Sequence, residues 1–152
     1  MKAAGFWERA VAHLIDFLIT NVSELAIEYG LVGLVWGVRR FALNETIDFD
    51  HAIDSILQQA IGLGVGLAIA YLYYVRWQVR YGNTLGKKIM KMQVVDAVTG
   101  LPMGERQAWV RLFSYLASYL IVGCGFLMAA FNPERRALHD SIAGTRVIRI
   151  LF

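Results

Sequence analysis

Residues 5–20 read GFWERAVAHLIDFLIT. The pattern is that of an apolar helix, yet Arg9, His13 and Asp16 lie inside it. At about 100° per residue, Arg9, His13, Asp16, Thr20, Ser23 and Glu24 fall within roughly 100° of arc, and Glu28 widens the stripe to about 140°. Val11, Leu14, Ile15, Leu18, Val22 and Leu25 occupy most of the remaining surface. If the helix crosses a bilayer, a carboxylate near its centre costs at least about 2.5–3.5 kcal/mol. The stripe must therefore face another helix, a second copy of the chain, or water.

The rest of the sequence supports a bilayer setting. Of 152 residues, 57% are hydrophobic and 18% charged, against about 25% charged in an average globular chain. The apolar residues gather into three long runs. The first spans about 10–38, roughly 43 Å of helix against a hydrocarbon core of about 30 Å. Its interruption by Glu8, Arg9, His13 and Asp16, with no small-residue cleavage site after it, reads as a retained signal anchor rather than a cleaved signal peptide. The second run spans about 55–77, with Asp54 or Ser55 as its expected N-cap. The third spans 109–131 and ends before Pro133.

Loop charge orients these segments. The 39–54 loop sets Glu45, Asp48, Asp50 and Asp54 against Arg39 and Arg40. The 78–108 segment and its flanks set Arg76, Arg80, Lys87, Lys88, Lys91, Arg106 and Arg111 against Asp96 and Glu105. By the positive-inside rule the N-terminus and residues 78–108 are cytoplasmic and the 39–54 loop is external. The basic tail, 132–152, carries Arg135, Arg136, Arg146 and Arg149, which place it inside as well. KMQVVDAVTG (91–100) and GTRVIRI (144–150) are short β-branched stretches that could pair only on one side of the membrane. The third run is thus expected to enter and leave on the cytoplasmic face, turning at Gly123–Gly125, in preference to a single third span; such re-entrant backbone needs cover from protein or a water-filled cavity. The sequence predicts one all-α membrane domain over 1–152. It has two transmembrane helices, a third span or re-entrant helical hairpin, and a short cytoplasmic β pairing.

Other features are mainly structural. Gly62, Gly66 and Ala70 form a small-residue row suited to close helix packing. Tyr71, Tyr73, Tyr74 and Trp77 form an interfacial aromatic belt. Gln58 and Gln59 are placed to hydrogen-bond toward Glu24 or Glu28 on the first helix. GNTLGKK (82–88) lacks the glycine spacing and the Ser/Thr of a phosphate loop, and reads as a turn leading into a basic stretch on anionic headgroups. The His139–Asp140 pair has no further ligand cluster around it, and Asp140 is expected to cap a turn or pair with a Lys or Arg. The lone cysteine, Cys124, makes no internal disulfide. We expect no metal, cofactor or nucleic-acid partner, and no Ser/His/Asp triad points to an enzyme.

Three blocks, FWERAVAHLIDFLI (6–19), GNTLGKKIMKMQVVDAVTG (82–100) and RRALHDSIAGTRVI (135–148), resemble in order and wording the RDD family of small bacterial membrane proteins, named for one arginine and two aspartates. The resemblance extends over nearly the whole chain. It implies that Arg9 and Asp16 are the first two motif residues; Asp140 is the choice for the third, with Asp96 the weaker candidate. It also implies an inner-membrane, multi-pass protein. Some members of the family are associated with sodium/proton antiport, and related domains act as membrane adaptors. Two functions follow as expectations. In the first, Asp16, with His13, Glu24 and Glu28 as further ion-binding or proton-relay candidates, exchanges Na⁺ for H⁺ while Arg9 serves as charge partner or gate. Too few helices enclose a pathway alone, so this requires a homo-oligomer, for which the glycine row is the expected contact. In the alternative, the protein is a scaffold or assembly factor whose polar stripe binds a partner membrane protein.

Overall fold

The computed structural model describes residues 3–43, 52–120 and 136–150. The expected turn at Gly123–Gly125, the Pro133 stop, Cys124, Arg135 and loop residues 44–51 lie outside them. The elements run α1 (Phe6–Phe41), α2 (Ala52–Ile69), a π-helical stretch (Ala70–Trp77), α3 (Gln78–Tyr81), α4 (Leu85–Ile89), β1 (Met92–Asp96), α5 (Glu105–Leu120), α6 (Leu138–Ile142) and β2 (Thr145–Arg149). The fold is mostly helical, with one two-stranded sheet. Two stretches, Phe6–Phe41 and Ser55–Ile89, are long and apolar enough to cross a membrane.

Both long helices exceed their expected bounds. α1 begins at Phe6 rather than near Ala10, because Glu8 turns back to accept the Gly5 N–H (3.0 Å) and supplies a partner that the helix start lacks. The second helix is under way by Ala52, ahead of the Asp54 or Ser55 cap expected for it. It continues as π-helix and α3 to Tyr81, where Gly82, at φ +72°, closes it by donating its N–H to the Gln78 carbonyl (2.9 Å). Any side chain at Gly82 would also meet Gln93 Nε2 at 2.6 Å, so backbone and space both require glycine there.

The chain divides into two compact units, Leu18–Ile69 and the remainder, Met1–Phe17 with Ala70–Phe152. In Leu18–Ile69 many large apolar side chains point outward: Val22, Leu34, Ile56, Leu63 and Leu67 are all exposed, while Val32 and Val65 are buried. The glycine row turns toward its own chain instead. A Cβ at Gly62 would stand 3.1 Å from the Glu28 carboxyl and one at Gly66 2.7 Å from Glu24 Oε1. The two glycines thus leave room for the Glu28 and Glu24 side chains of the same chain.

The other unit is organised by the sheet. β1 and β2 are antiparallel, from Met92↔Arg149 to Asp96↔Thr145, as the two β-branched stretches predicted. Ala3 bridges to Ile148, and the Ala4 N–H donates to the Val147 carbonyl (3.1 Å). The apolar core of this unit is small: Ala4, Ala12, Val75, Met92, Val94, Met103, Ala108 and Val147. Much of what else is buried is charged or polar, including Asp16, Lys87, Arg111, His139 and Asp140. Val11, Leu14, Phe17 and Leu72 are exposed. Polar groups inside and apolar groups outside is the distribution that a hydrocarbon solvent selects.

Candidate functional site

Two buried carboxylates organise the unit that holds the sheet. Asp16, on α1, has no exposed surface. It accepts hydrogen bonds from the Tyr73 hydroxyl (2.6 Å, to Oδ1), the Thr84 hydroxyl (2.5 Å, to Oδ2) and the Gly86 N–H (2.7 Å, to Oδ1). Lys87 Nζ lies 3.8 Å from Oδ2 and donates to Thr84 Oγ1 (3.3 Å). The Tyr73 hydroxyl in turn accepts the Leu85 N–H (3.0 Å). The GNTLGKK segment therefore wraps one carboxylate of its own chain. Thr84 precedes α4 in extended conformation without capping it, and Asp16 supplies the missing acceptor from another helix. The fit is close, because a Cβ at Gly86 would collide with the Ala12 carbonyl oxygen and stand 2.8 Å from Asp16 Oδ1. Of the two lysines read as lying on headgroups, Lys88 is exposed, whereas Lys87 is buried and turned to Asp16.

Asp140, on α6, is likewise inaccessible to solvent. Arg9 reaches its Oδ2 through Nη1 (2.6 Å), and Arg111 Nη2 reaches Oδ1 (2.8 Å). The Ala137 N–H adds a longer contact to Oδ2 (3.4 Å). Arg9 also donates to the carbonyls of Ala4 (3.2 Å) and Val147 (3.3 Å), and Arg111 to the Thr145 hydroxyl (2.9 Å). One carboxylate thus ties together the first helix, α5, α6 and β2. Burial alone would push the Asp140 carboxyl up, but the flanking guanidiniums, Arg111 ahead of Arg9, outweigh it and hold the group below the ordinary carboxylate range. His139 Nε2 is 3.6 Å from Asp140 Oδ1. Burial first, and then Arg111, push this imidazole down to about 3, so it is neutral at physiological pH and its contact is not an ion pair.

Tyr115 stands between the two histidines. Its ring is stacked on His13 (centroids 6.1 Å apart) and tilted against His139 (4.4 Å), and its hydroxyl accepts from Arg111 Nε (3.2 Å). Arg9, His13, Asp16 and Asp140 therefore belong to one packed region. Arg9 pairs with Asp140, on the far side of the sequence, and Asp16 with Lys87. Glu24 and Glu28 belong to the other unit, against Gly66 and Gly62. Asp96 stands outside the cluster. It closes the turn after β1, accepting from the N–H groups of Val98 (2.9 Å) and Thr99 (2.7 Å) and from Gln107 Nε2 (2.5 Å). These donors, that of Thr99 foremost, lower its carboxyl to about 2. Among the described residues no group of three or more His, Cys, Asp or Glu could hold a metal ion.

Comparison with known proteins gives the family. Residues 3–144 match the RDD family. The chain belongs to that family. It is 32% identical to the Bacillus subtilis protein YxaI, over 97% of each chain. It is 26% identical to the proline-rich antigen of Mycobacterium leprae, over 95% of this chain and 60% of that one. It is 24% identical to the B. subtilis membrane protein YteJ, over 95% of this chain and 80% of the relative. It thus spans nearly all of YxaI but only part of the mycobacterial antigen. No solved structure gives a significant match. Family and fold together make this a small membrane protein. In this RDD chain the arginine and the aspartates chosen from its sequence, Arg9, Asp16 and Asp140, are all buried or nearly so.

Sequence reasoning passed over Tyr73, Thr84, Gly86, Lys87, Arg111, Tyr115 and His139 as parts of this site. Arg111 had a visible signal: an arginine inside AWVRLFSYL (108–116) is as costly in an apolar helix as Asp16 is in its own. Thr84 and Lys87 had none, since nothing local distinguishes a loop that wraps a distant carboxylate from one that lies on a surface.

Proposed function

We propose that this RDD protein exchanges a monovalent cation for a proton at Asp16, acting as a homo-oligomer in the bacterial cytoplasmic membrane. The observation that carries this is the make-up of the Asp16 site: a buried carboxylate, two hydroxyl oxygens and one lysine. A proton or Na⁺ arriving at the carboxylate oxygens replaces the Lys87 ammonium, charge for charge. The Thr84 and Tyr73 hydroxyls, which donate to Asp16, can turn to offer lone pairs to a cation. When the ion leaves, Lys87 returns and keeps the buried carboxylate neutralised. Arg9, Arg111 and Asp140 are the fixed frame beside this exchange site. His13, Glu24 and Glu28 are relay candidates along the same helix, and oligomer contacts form on the exposed apolar faces.

Strand pairing and loop charge support the orientation. Ala3, β1 and β2 are hydrogen-bonded to one another, so the residues before α1 and those after α4 share a side, consistent with two full crossings between them. The segment from α5 to α6 then crosses an even number of times, or re-enters. The positive-inside rule makes the shared side cytoplasmic.

One observation favours the scaffold reading: the donors around Asp16 already satisfy it, as they would in a permanent lock between helices. The two readings separate in sealed liposomes. Under exchange, Na⁺ addition collapses a preset pH gradient with wild type and fails to do so with Asp16→Asn and Lys87→Gln. Folded, correctly oriented wild type that leaves the gradient unchanged for Na⁺, Li⁺ and K⁺ sinks the exchange reading and leaves the lock.

A further inference from the structure

A concave feature lies at the end of the second long helix. Leu72, Arg76, Trp77, Arg80 and Tyr81, joined by Glu105 of α5, line a cavity of about 480 Å³. Arg76 and Arg80 stand one helical turn apart and both line it, two guanidiniums against one carboxylate. The Trp77 and Tyr81 rings are 4.6 Å apart, and the Arg80 guanidinium lies 5.7 Å from the Tyr81 ring centroid. Leu72, one turn earlier, is exposed. Along the helix the lining therefore runs from apolar Leu72 to a band in which two arginines alternate with two aromatic rings, the combination that meets a phospholipid's acyl chain at one end and its interface and phosphate at the other. It includes the last turns of the π-helical stretch, a geometry often found where a helix meets a ligand.

We propose that this groove holds the headgroup of one anionic phospholipid, its phosphate between Arg76 and Arg80 and an acyl chain along Leu72. Arginine suits the task because its planar fork grips phosphate oxygens in pairs. The aromatic rings fix the depth of the headgroup, and a zwitterionic lipid brings its own cation to the two guanidiniums and is repelled.

Native mass spectrometry of the full-length protein, released from micelles containing equimolar phosphatidylglycerol and phosphatidylcholine, tests this directly. Wild type is expected to retain one phosphatidylglycerol in preference to phosphatidylcholine. Arg76→Gln/Arg80→Gln should lose that preference, by about fivefold per arginine. Lys88→Gln/Lys91→Gln, which removes two charges outside the groove, should keep it. If the double arginine variant is not recovered folded, Arg80→Gln alone carries the test, with the same fivefold loss expected. Equal retention of both lipids by wild type, or unchanged preference after the arginine substitution, overturns the proposal. So does equal loss in the lysine variant, which would mean diffuse surface attraction. Displacement of the lipid by millimolar inorganic phosphate would make the groove a free-anion site and overturn it too.

Discussion

Gly86 is the position where a single methyl group should matter most. Its backbone lies against the Ala12 carbonyl, and Asp16 needs its N–H. Gly86→Ala must push α4 away from the first helix or break the Asp16 bond. We expect a loss of about 1–3 kcal/mol or more, read as a lower Tm in detergent; an unchanged Tm would mean that the close approach is absent. Asp140 makes the larger electrostatic contribution. Asp140→Asn leaves Arg9 and Arg111 buried without a counter-charge, at a cost of about 3–5 kcal/mol. The same thermal assay checks it, with Asp96→Asn on the exposed turn as a milder comparison. His139 gives a pH dependence whose sign is fixed. Its folded-state value is near 3 and its ordinary value 6.5, so between these the unfolded chain binds the extra proton. Stability is full above about pH 6.5 and declines as pH falls toward 3. Denaturation from pH 7 to 5 should show this decline, and His139→Gln should flatten it.

Among the elements, the two strands decide most. Each is only five residues long, and an isolated pair of that length is marginal in water. Their stability comes from what they attach to: Ala4 on the outer side of β2, Gly82 on the outer side of β1, and Arg111 on Thr145. The bonds from Ala97 N–H to Gly144 and from Ile150 N–H to Lys91 fix the register. They make Val94 and Val147 a close, non-hydrogen-bonded pair. In a Cys124→Ser background, Val94→Cys/Val147→Cys should therefore form a disulfide on mild oxidation, read by the mobility of a protease-nicked chain. A Val95→Cys/Val147→Cys control, one residue out of register, should not. Helix α5 shows a different kind of restraint. Arg111 faces inward to Asp140 and Thr145 while Phe113 is exposed, so charge anchors its first turns alongside the burial of Ala108 and the packing of Trp109 and Leu112.

At the level of the whole molecule, the distribution of residues is that of a protein whose solvent is partly lipid. Apolar side chains cover much of the outside of the long helices, and buried ion pairs sit beside a small apolar core. The loop charges and the strand pairing make a topological statement. Cysteines introduced at Val98 and at Ile142, both exposed, should react with an impermeant thiol reagent from the same side of the membrane. A cysteine at Leu43 should react from the other. Labelling of Val98→Cys and Ile142→Cys from opposite sides would refute the re-entrant reading of the third apolar run.

The sequence by itself determined the membrane setting, the two long helices, the β pairing and the polar face of the first helix, because each is a matter of local pattern: run length, period and β-branching. It also singled out Arg9, Asp16 and Asp140, since charge in an apolar context is conspicuous on the page. Tertiary structure alone decided who pairs with whom. Arg9 goes to Asp140 rather than to Asp16, Lys87 leaves the surface for Asp16, and Gly62 and Gly66 accommodate glutamates of their own chain. A buried charge must be neutralised by whichever opposite charge the folded chain brings within reach, and in this chain that partner comes from another helix or loop.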